Sequence, residues 1–370
     1  MRVLVYGFSG KILGGIETFI LNMNDHMSSD TIFDYVIDGN ECVYKERIGH
    51  KGGEIFFVPG VRRNPIKYVR TFWHTLGVQH KRGTSLFYVQ LFSMANMLPV
   101  FLAKMRGYKV ILHSHNNGLQ SKSKVYEIIH LIGKFLSRHG NYIRFTNSLI
   151  SSDFMFGKGI NSEIIYNAID IEKFSFHQDI RDRVRYEQCC NVDSVIGFVG
   201  RLTRQKNPVF MIKVFAEILK IKKGCELWII GEGELKTDMM EKINSYGINN
   251  HIKWFGRRND VELLMQGMDL LLQPSIFEGL GIVLVEAQAT GLPVITSADV
   301  VPDEAKASIL LRQIRLDTPA SEWARECVNF IEERKGMSRN AKDVAFTSNF
   351  DIKLEARRLE NMLTSYSYNN

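Results

Sequence analysis

Cysteine is scarce in this sequence, and no two cysteines have a spacing typical of a cross-link or a zinc site. The chain has five in 370 residues: Cys42, Cys189, Cys190, Cys225 and Cys327. An odd number without short, regular spacings argues against a disulfide framework and against a zinc-binding module. Because structural disulfides belong to oxidising compartments, the pattern favours a reducing cytoplasm as the location.

Charged residues are missing from Gly83 to Ala103, a length that would be enough to span a bilayer. The stretch is interrupted by three polar residues and a proline, Gln90, Ser93, Asn96 and Pro99. Such polar groups are costly in hydrocarbon. We therefore expect a buried strand near Leu86–Gln90, followed by a buried helix, instead of a membrane span.

Fixed-period repeats and low-complexity segments are also lacking. Hydrophobic residues make up 45% of the chain and charged residues 24%, proportions that are typical of soluble globular proteins. A chain of 370 residues is too long for one ordinary hydrophobic core. The composition therefore predicts two domains.

Short apolar runs alternate with segments long enough for helices, which is the pattern of a parallel sheet covered by helices. The N-terminal run, Met-Arg-Val-Leu-Val-Tyr-Gly, is typical of a first strand and not of a signal peptide. A first set of predicted strands comprises Val3–Tyr6, Ile55–Val58, Leu86–Val89, Val110–Leu112 and Tyr142–Thr146. After a break, a second set comprises Val195–Val199, Glu226–Ile230, His251–Phe255, Leu270–Gln273 and Pro293–Thr296. The predicted fold class is α/β, with two Rossmann-like doubly wound domains.

The boundary between the domains is expected between Asn167 and about Asn191, where the apolar pattern lapses. We predict an N-terminal domain over residues 1–170 and a C-terminal domain over residues 171–348. Residues 349–370 are predicted to form a final helix, which could pack back on the N-terminal domain.

Positive charge is concentrated in the first half of the chain. Residues 1–170 hold 20 Lys and Arg against 12 Asp and Glu, a net charge of +8, whereas residues 171–370 hold 27 against 28. This asymmetry predicts an anionic partner for the first half: a membrane surface, a phosphorylated substrate or a nucleic acid.

Binding crevices of doubly wound sheets open at the carboxyl ends of the strands, so residues that follow strands are the candidates for a site. After the first strand, GFSGKILGGIETF carries Gly15 near the start of a helix. Its glycines either let backbone amides approach an anion or form a plain turn, and their spacing differs from the Gly-x-Gly-x-x-Gly dinucleotide fingerprint.

After Leu112, HSHNN offers His113 and His115 with two asparagines. These side chains suit a hydroxyl-rich ligand or a simple polar loop, and the lack of further ligands nearby argues against zinc.

The second predicted domain begins with a strand that is followed by cations. FVGRLTRQKNP supplies Gly200, Arg201 and Lys206 before a helix that begins near Pro208. Two cations at a strand-to-helix crossover can bind a diphosphate without a metal ion.

A later strand of this domain, LLLQP, is followed by SIFEGLGIVLVEAQATGLPVITS. Gly279 and Gly281 expose backbone amides where a helix starts, an arrangement that binds phosphate. Glu278 and Glu286 are eight residues apart, so we expect them to contact different parts of one ligand. The alternative is that Glu286 is a solvent-exposed residue of an amphipathic helix.

Taken together, these motifs resemble the retaining, nucleotide-sugar-dependent glycosyltransferases of the GT-B fold, family four, and in particular bacterial enzymes of capsular and exopolysaccharide synthesis. The resemblance covers nearly the whole chain. It rests on an ordered set of motifs: Gly-Gly-Ile-Glu near the N-terminus, His-Ser-His-Asn, Asn-Ala-Ile-Asp at 167–170, Phe-Val-Gly-Arg with the later lysine, and Glu278-x7-Glu286 followed by AQATGLPVI. The resemblance implies two Rossmann-like domains that face a central cleft.

The resemblance also implies a role for each matching residue. Arg201 and Lys206 would neutralise the departing diphosphate, Glu278 would contact hydroxyls of the donor sugar, and His113 would reach toward the transferred sugar; these four are the implied catalytic residues. The residues implied in donor binding are Gly15, His115, Gly200, Arg257, Gly279, Leu280, Gly281 and Glu286, of which the last would hold the ribose diol. His115 is the alternative to His113, because the doublet makes the alignment ambiguous.

The implied reaction moves a sugar from UDP-hexose or UDP-N-acetylhexosamine to a polyprenyl-diphosphate-linked saccharide, with retention of configuration. No metal ion or other cofactor is expected, and the implied location is the cytoplasmic face of the plasma membrane.

An epimerase acting on UDP-N-acetylglucosamine would share this architecture, but the Arg-Lys and Glu-x7-Glu set favours transfer. A basic nucleic-acid-binding protein is a rival of another class; no signature of such a module occurs, and we expect no nucleic-acid partner.

One segment is a candidate for contact with the membrane. Residues 61–82 place Ile66, Val69, Trp73 and Leu76 at helical spacing among six Lys and Arg residues. The segment could lie on an anionic membrane, or it could be a core-facing helix with a solvated basic face.

Overall fold

The computed structural model describes residues 1–11, 14–61, 63–119 and 123–368. The chain divides into two compact units. The N-terminal domain consists of Met1–Ile169 together with Asn349–Asn370, and the C-terminal domain consists of Asp170–Ser348. The last helix therefore belongs to the N-terminal domain, although it follows the C-terminal domain in the sequence.

A parallel sheet forms the centre of the N-terminal domain. Its strands are β1 (Arg2–Tyr6), β2 (Ile32–Asp38), β3 (Ile55–Val58), β4 (Leu86–Leu91), β5 (Lys109–Ser114), β6 (Ile143–Thr146) and β7 (Glu163–Ile164). They lie in the order β3-β2-β1-β4-β5-β6-β7. The helices are α1 (Gly15–His26), α2 (Lys45–His50), α3 (Pro65–Lys81), α4 (Leu98–Met105), α5 (Lys124–His139) and α6 (Leu149–Met155), with the C-terminal helix Ile352–Tyr368. Because the order reverses at β1, with β2 on one side and β4 on the other, this is a doubly wound sheet.

The C-terminal domain repeats this plan. Its strands are β8 (Ser194–Val199), β9 (Cys225–Ile230), β10 (Ile252–Gly256), β11 (Leu270–Gln273), β12 (Val294–Ser297) and β13 (Leu311–Ile314), in the order β10-β9-β8-β11-β12-β13. Its helices are α7 (Gln178–Glu187), α8 (Pro208–Ile221), α9 (Lys236–Tyr246), α10 (Val261–Gly267), α11 (Ile282–Ala289) and α12 (Ala320–Arg334). The last helix of the chain, Ile352–Tyr368 of the N-terminal domain, is numbered α13. The predicted fold class, α/β with two Rossmann-like domains, is confirmed.

The strand β2 was not predicted, because its sequence IFDYVID contains aspartates. Asp34 is fully buried and is held by Arg2 through two hydrogen bonds of 2.6 and 2.7 Å. The backbone N–H of Glu54 donates a third hydrogen bond to Asp34, at 2.9 Å. Burial of a carboxylate is tolerated when it is paired and hydrogen-bonded in this way. The two-residue strand β7 and the strand β13, LRQI, were also not predicted.

The charge-free stretch forms β4 and α4, as predicted. All six residues of β4 are buried, and α4 buries Pro99, Val100, Leu102 and Ala103. Among the described residues, none of the helices has both the length and the hydrophobicity that crossing a bilayer requires.

The predicted membrane segment forms α3, whose inward face differs from the predicted one. Tyr68, Phe72 and Leu76 are fully buried in the core, whereas Ile66 is 82% exposed. The guanidinium of Arg106 lies 3.8 Å from the centre of the Trp73 ring. Arg62, one of the basic residues in this segment, lies outside the described residues.

The helix α13 completes the core of the N-terminal domain. Ile352, Ala356, Leu359 and Leu363 are buried in one hydrophobic cluster with residues of β1 and α1. The carboxylate of Glu355, on the same helix, accepts a 2.8 Å hydrogen bond from the backbone N–H of Tyr166. The helix is therefore an integral part of this domain.

We expect Leu359→Ala to lower the free energy of unfolding by about 2–5 kcal/mol, because it leaves a cavity in a close-packed core. Leu354→Ala is the matched control on the same helix, since Leu354 is 53% exposed, and it should change stability by less than about 1 kcal/mol. Thermal and denaturant unfolding of the full chain measures both. Equal effects of the two variants would contradict the packing of α13.

Candidate functional site

The predicted site residues of the C-terminal domain lie at the carboxyl edge of its sheet. The strand β8 has β9 on one side and β11 on the other, so the loops after β8 and β11 leave the sheet in opposite directions. Doubly wound sheets bind ligands in the crevice that forms at such a point. Gly200, Arg201 and Lys206 follow β8, and Glu278 follows β11.

The loop after β8 is fixed by direct contacts between backbones. Leu202 donates its N–H to the carbonyl of Glu232 at 2.9 Å and accepts the N–H of Leu235 at 3.0 Å. A Cβ added at Gly231 would lie 1.9 Å from the carbonyl oxygen of Gly200, so only glycine fits there. The loops after β8 and β9 thus hold each other in place.

Lys206 and Glu278 form an ion pair that is largely removed from solvent. The Nζ of Lys206 donates to the Oε1 of Glu278, and their side chains are 15% and 5% exposed. The hydroxyl of Ser275 donates to the same carboxylate oxygen at 2.8 Å. A lysine ammonium has three donors, so this pair leaves Lys206 able to bind a further acceptor. The lysine implied at the diphosphate and the glutamate implied at the donor sugar are therefore neighbours.

Arg201 differs from Lys206 in its surroundings. Its side chain is exposed, and no acidic side chain of the described residues forms an ion pair with it. A guanidinium offers five donors in a planar fork that suits phosphate oxygens. Arg201 is thus available to an anion at the edge where Lys206 lies.

The loop before α11 reaches the helix through a glycine. Gly281 caps the helix with a φ of +78°, a conformation that other residues rarely adopt. No side chain caps the first turn of α11, so its first amides are open to another acceptor. Gly279 and Leu280, which were also predicted to bind the donor, are buried in this loop.

Glu286 lies within α11, and the pKa of its carboxyl is raised above the ordinary value of a glutamate. Burial raises its pKa to about 7; the positive charge of Lys173 opposes this shift, and the negative charge of Glu262 adds to it. Lys173 and Glu262 themselves form an ion pair of 3.2 Å. The carboxyl of Glu286 accepts no hydrogen bond from the described residues and retains some exposed surface. It is thus a partly buried acceptor that can bind a donor group of a ligand.

Arg257 lies at the end of β10, beside the glycine that closes this strand. Gly256 has a φ of +63°, and its carbonyl accepts the N–H of Gly231 at 2.7 Å. Arg257 itself is exposed. The structure thus brings Lys206 and Glu278 into contact, places Gly200 and Arg201 at the same edge, and leaves Arg257 on a separate strand end.

In the N-terminal domain, Gly15 is the first residue of α1. Residues 12 and 13 of the preceding loop lie outside the described residues. A Cβ added at Gly15 would meet no atom within 4 Å. The carboxylate of Glu17 accepts the N–H and the hydroxyl of Ser9 at 3.0 and 2.7 Å, which draws the loop after β1 against the helix. Gly15 therefore borders open space.

The two predicted histidines have different surroundings. Contrary to expectation, His113 has no exposed surface; its Nδ1 lies 2.6 Å from the hydroxyl of Tyr88, and its ring packs edge-on against Phe19. Its Nε2 is buried and has no hydrogen-bond partner among the described residues. His115 keeps some exposed surface, and its Nε2 donates to the Oε1 of Gln90 at 2.6 Å. Burial lowers the pKa of His115 to about 3, so the imidazole is neutral near pH 7.

A polar hollow of about 390 Å³ opens at the point where the order of the N-terminal sheet reverses. It is lined by residues at the ends of β1, β2 and β4 and in the segments that follow these strands, among them Tyr6, Ser9, Glu17, Asp38, Gln90 and Asn96. Burial raises the pKa of Asp38, which accepts a 3.0 Å hydrogen bond from the hydroxyl of Tyr6. The hollow can therefore hold a hydroxyl-rich ligand, and the sequence analysis did not identify its residues.

Gln273 is a further residue that the sequence analysis missed. It ends β11, is fully buried, and neither polar atom of its amide has a hydrogen-bond partner among the described residues. Its Nε2 lies 3.5 Å from the place that a Cβ of Gly200 would occupy. The only signal in the sequence is a glutamine at the end of the apolar run LLLQP. Among the described residues, no cluster of three or more His, Cys, Asp and Glu side chains could hold a metal ion.

Comparisons with known proteins assign this arrangement to a class. The family model described as glycosyl transferases group 1 matches residues 191–307, which include the ion pair and Glu286. The chain is 27% identical over 336 residues to the putative glycosyltransferase EpsF of Bacillus subtilis, covering 87% of this chain and 86% of EpsF. It is 29% identical over 140 residues to the Escherichia coli enzyme UDP-Gal:alpha-D-GlcNAc-diphosphoundecaprenol alpha-1,3-galactosyltransferase, covering 36% of each chain.

Solved structures share the fold of the whole chain. HepE of Anabaena, in complex with UDP, matches with a TM-score of 0.80 at 17% identity, over 99% of this chain and 100% of that one. A glycosyltransferase from Rickettsia africae matches with a TM-score of 0.79 at 13% identity, over 100% and 99%. At such identities the likeness establishes the fold, which is GT-B. Together with the family model over residues 191–307 and the similarity to EpsF, it supports a GT-B glycosyltransferase.

Proposed function

We propose that the chain is a retaining, metal-independent glycosyltransferase. It transfers a sugar from UDP-hexose or UDP-N-acetylhexosamine to a lipid-diphosphate-linked saccharide in the synthesis of a cell-surface polysaccharide. The observation that carries this proposal is the Lys206–Glu278 ion pair beside the exposed Arg201, at the carboxyl edge where the C-terminal sheet reverses. The choice of a UDP donor and of a lipid-linked acceptor is supported by relatives, since HepE binds UDP and the Escherichia coli relative uses UDP-Gal with a diphosphoundecaprenol acceptor.

The C-terminal domain binds the nucleotide part of the donor in this proposal. Lys206 and Arg201 contact the diphosphate, and the open amides of α11 add further donors. Glu286 accepts hydrogen bonds from the ribose diol, which satisfies its buried carboxylate. Glu278 is held on one side by Lys206 and contacts hydroxyls of the sugar. The base lies near Gly256 and Arg257.

The N-terminal domain contributes contacts to the sugars. Gly15 lets the loop before α1 approach the donor, because a glycine leaves that space open. His115 takes the role that was expected of His113, since His115 retains exposed surface and is neutral. The polar hollow around Gln90 and Asp38 receives the acceptor. The net charge of +8 on residues 1–170 suits a diphosphate-linked acceptor at the cytoplasmic face of the plasma membrane.

Transfer proceeds on one face of the sugar. The bond from the anomeric carbon to the leaving phosphate oxygen breaks, and the acceptor oxygen bonds to the same face of that carbon. The leaving oxygen takes the proton of the acceptor hydroxyl. Arg201 and Lys206 stabilise the charge that develops on the diphosphate, which is the largest contribution of the protein. Glu278 is engaged by Lys206 and Ser275, so we do not assign it the role of a nucleophile.

Lys206→Ala should reduce turnover about 100-fold, or ~3 kcal/mol, because it removes one cation from the leaving diphosphate. Affinity for UDP should stay within about tenfold. Release of UDP from a UDP-sugar and calorimetric UDP binding measure the two effects.

The matched control for this test is Lys213→Ala, since Lys213 is an exposed lysine on the following helix α8. Arg201→Ala should also lose turnover, without loss of stability, because its side chain forms no ion pair with any described residue. Unchanged turnover in both cation variants would refute the proposal.

Affinity for UDP-glucose should rise about tenfold between about pH 6 and pH 8, because only the ionised fraction of Glu286 can accept from both ribose hydroxyls. The pKa of Glu286 is raised to about 7, so the carboxyl is mostly protonated below that pH and ionised above it. The diphosphate of UDP-glucose does not titrate in this window. Glu286→Gln should flatten the pH profile, and a wild-type profile that is already flat would argue against this role.

Gly15→Ala should leave thermal stability unchanged but lower turnover by at least about tenfold. No atom of the described residues lies within 4 Å of a Cβ at this position, so a loss of activity at unchanged stability would indicate contact with a ligand. Gly247→Ala is a control in a solvent-exposed helix cap of the C-terminal domain; it should affect stability only. Full activity of Gly15→Ala would remove Gly15 from the site.

A further inference from the structure

The helix α5 turns its large apolar side chains away from the domain. Seven of them are between 37% and 66% exposed: Val125, Ile128, Ile129, Leu131, Ile132, Phe135 and Leu136. At about 100° per residue, they occupy close to half of the circumference of the helix. Soluble monomers rarely leave a contiguous apolar surface of this kind uncovered, and such surfaces mark interaction sites.

The inward side of α5 is small and polar. Its buried residues are His130, Gly133 and Ser137. A Cβ added at Gly133 would lie 2.0 Å from the carbonyl oxygen of Met94, and the Nδ1 of His130 accepts the N–H of Met94 at 3.0 Å. The close approach at Gly133 and the hydrogen bond at His130 fix the rotation of the helix. The contacts of Gly133 and His130 with Met94 therefore turn the apolar side of α5 outward.

The charge around α5 indicates what covers this side. The helix itself carries three cationic residues, Lys124, Lys134 and Arg138, and one acidic residue, Glu127. Lys124 and Arg138 are exposed near the two ends of α5. An apolar face flanked by cations fits the surface of an anionic bilayer, where acyl chains receive the apolar side chains and headgroups receive the cations. A second copy fits less well, because a two-fold interface would bring the same cations together.

The N-terminal end of α5 borders the polar hollow of its domain. The hydroxyl of Tyr126 lies 2.5 Å from that of Ser93, and both residues line the hollow with Gln90 and Asp38. A bilayer in contact with the apolar side would therefore lie near the place that we assign to the acceptor. A lipid-linked saccharide could enter the hollow with its lipid still in the bilayer.

We propose that the outer face of α5 is the surface by which this protein docks on an anionic membrane. The proposal rests on the proposed function for its physiological purpose, but the surface is argued from α5 alone. It differs from the location that the sequence indicated, on α3.

The test is flotation of the full chain with vesicles of phosphatidylglycerol and phosphatidylcholine. Ile132→Glu/Phe135→Glu should weaken binding at least about tenfold, because two charges replace side chains that enter the apolar layer. Ile66→Glu/Met105→Glu is the matched control on the α3–α4 surface, where these residues are 82% and 73% exposed; it should bind like the unmodified protein. Binding should fall with added salt and on vesicles of phosphatidylcholine alone.

Three outcomes would overturn the proposal. The first is binding of the α5 variant as tight as that of the unmodified protein. The second is a loss of binding in the α3–α4 variant instead. The third is conversion of a dimer to a monomer in sedimentation by the α5 substitutions, with vesicle binding unaffected. Thermal unfolding checks that both variants are folded. Flotation is performed without a donor, so its result is independent of whether the protein releases UDP from a UDP-sugar. Failure of that release would count against the proposed function and not against the docking surface.

Discussion

The ion pair between Lys206 and Glu278 is the interaction on which the chemistry of the C-terminal domain depends. Both side chains are largely removed from solvent, so each requires the other's charge, and loss of one would leave the other uncompensated. The pair joins the loop after β8 to the loop after β11. It thus fixes a cation at the sheet edge before any ligand binds, and a cation that needs no rearrangement is the kind that stabilises a developing negative charge most.

The same pair limits what can bind beside it. A diphosphate is attracted by Lys206 but repelled by the carboxylate of Glu278, so we expect the phosphates to contact Lys206 on the side away from Glu278. Hydroxyl groups favour the side of Glu278. One pair of opposite charges can therefore orient a molecule that has phosphates at one end and a sugar at the other. This orientation follows from the chemistry of the two side chains, and it makes a sugar diphosphate a better fit than a simple phosphate.

Much of the fold followed from apolar periodicity, and what did not follow has identifiable reasons. The strands with continuous apolar sequence were predicted within a residue or two, because residues buried on both sides must be apolar. The strand β2 was not predicted because it contains Asp34, and the sequence does not show that this aspartate is buried in an ion pair with Arg2. In the candidate site, the sequence analysis selected glycines and charged residues that follow strands, since those positions carry ligands in this class of sheet. Gln273, Asp38 and Gln90 were not found, because a single polar residue at the end of a strand has no distinctive spacing.

The sequence also could not determine which way an amphipathic helix faces. Apolar periodicity normally identifies the side that packs on the core, and for α5 that rule gives the wrong side. The deciding residues are Gly133 and His130, which permit a close approach to Met94 and are inconspicuous among larger neighbours. For α3 the opposite occurs: the aromatic residues Tyr68 and Phe72 face inward, which is the core-facing alternative for this segment. The two helices thus have opposite orientations, and the orientation of α5 is set by the residues that fit against the domain and not by its most hydrophobic ones.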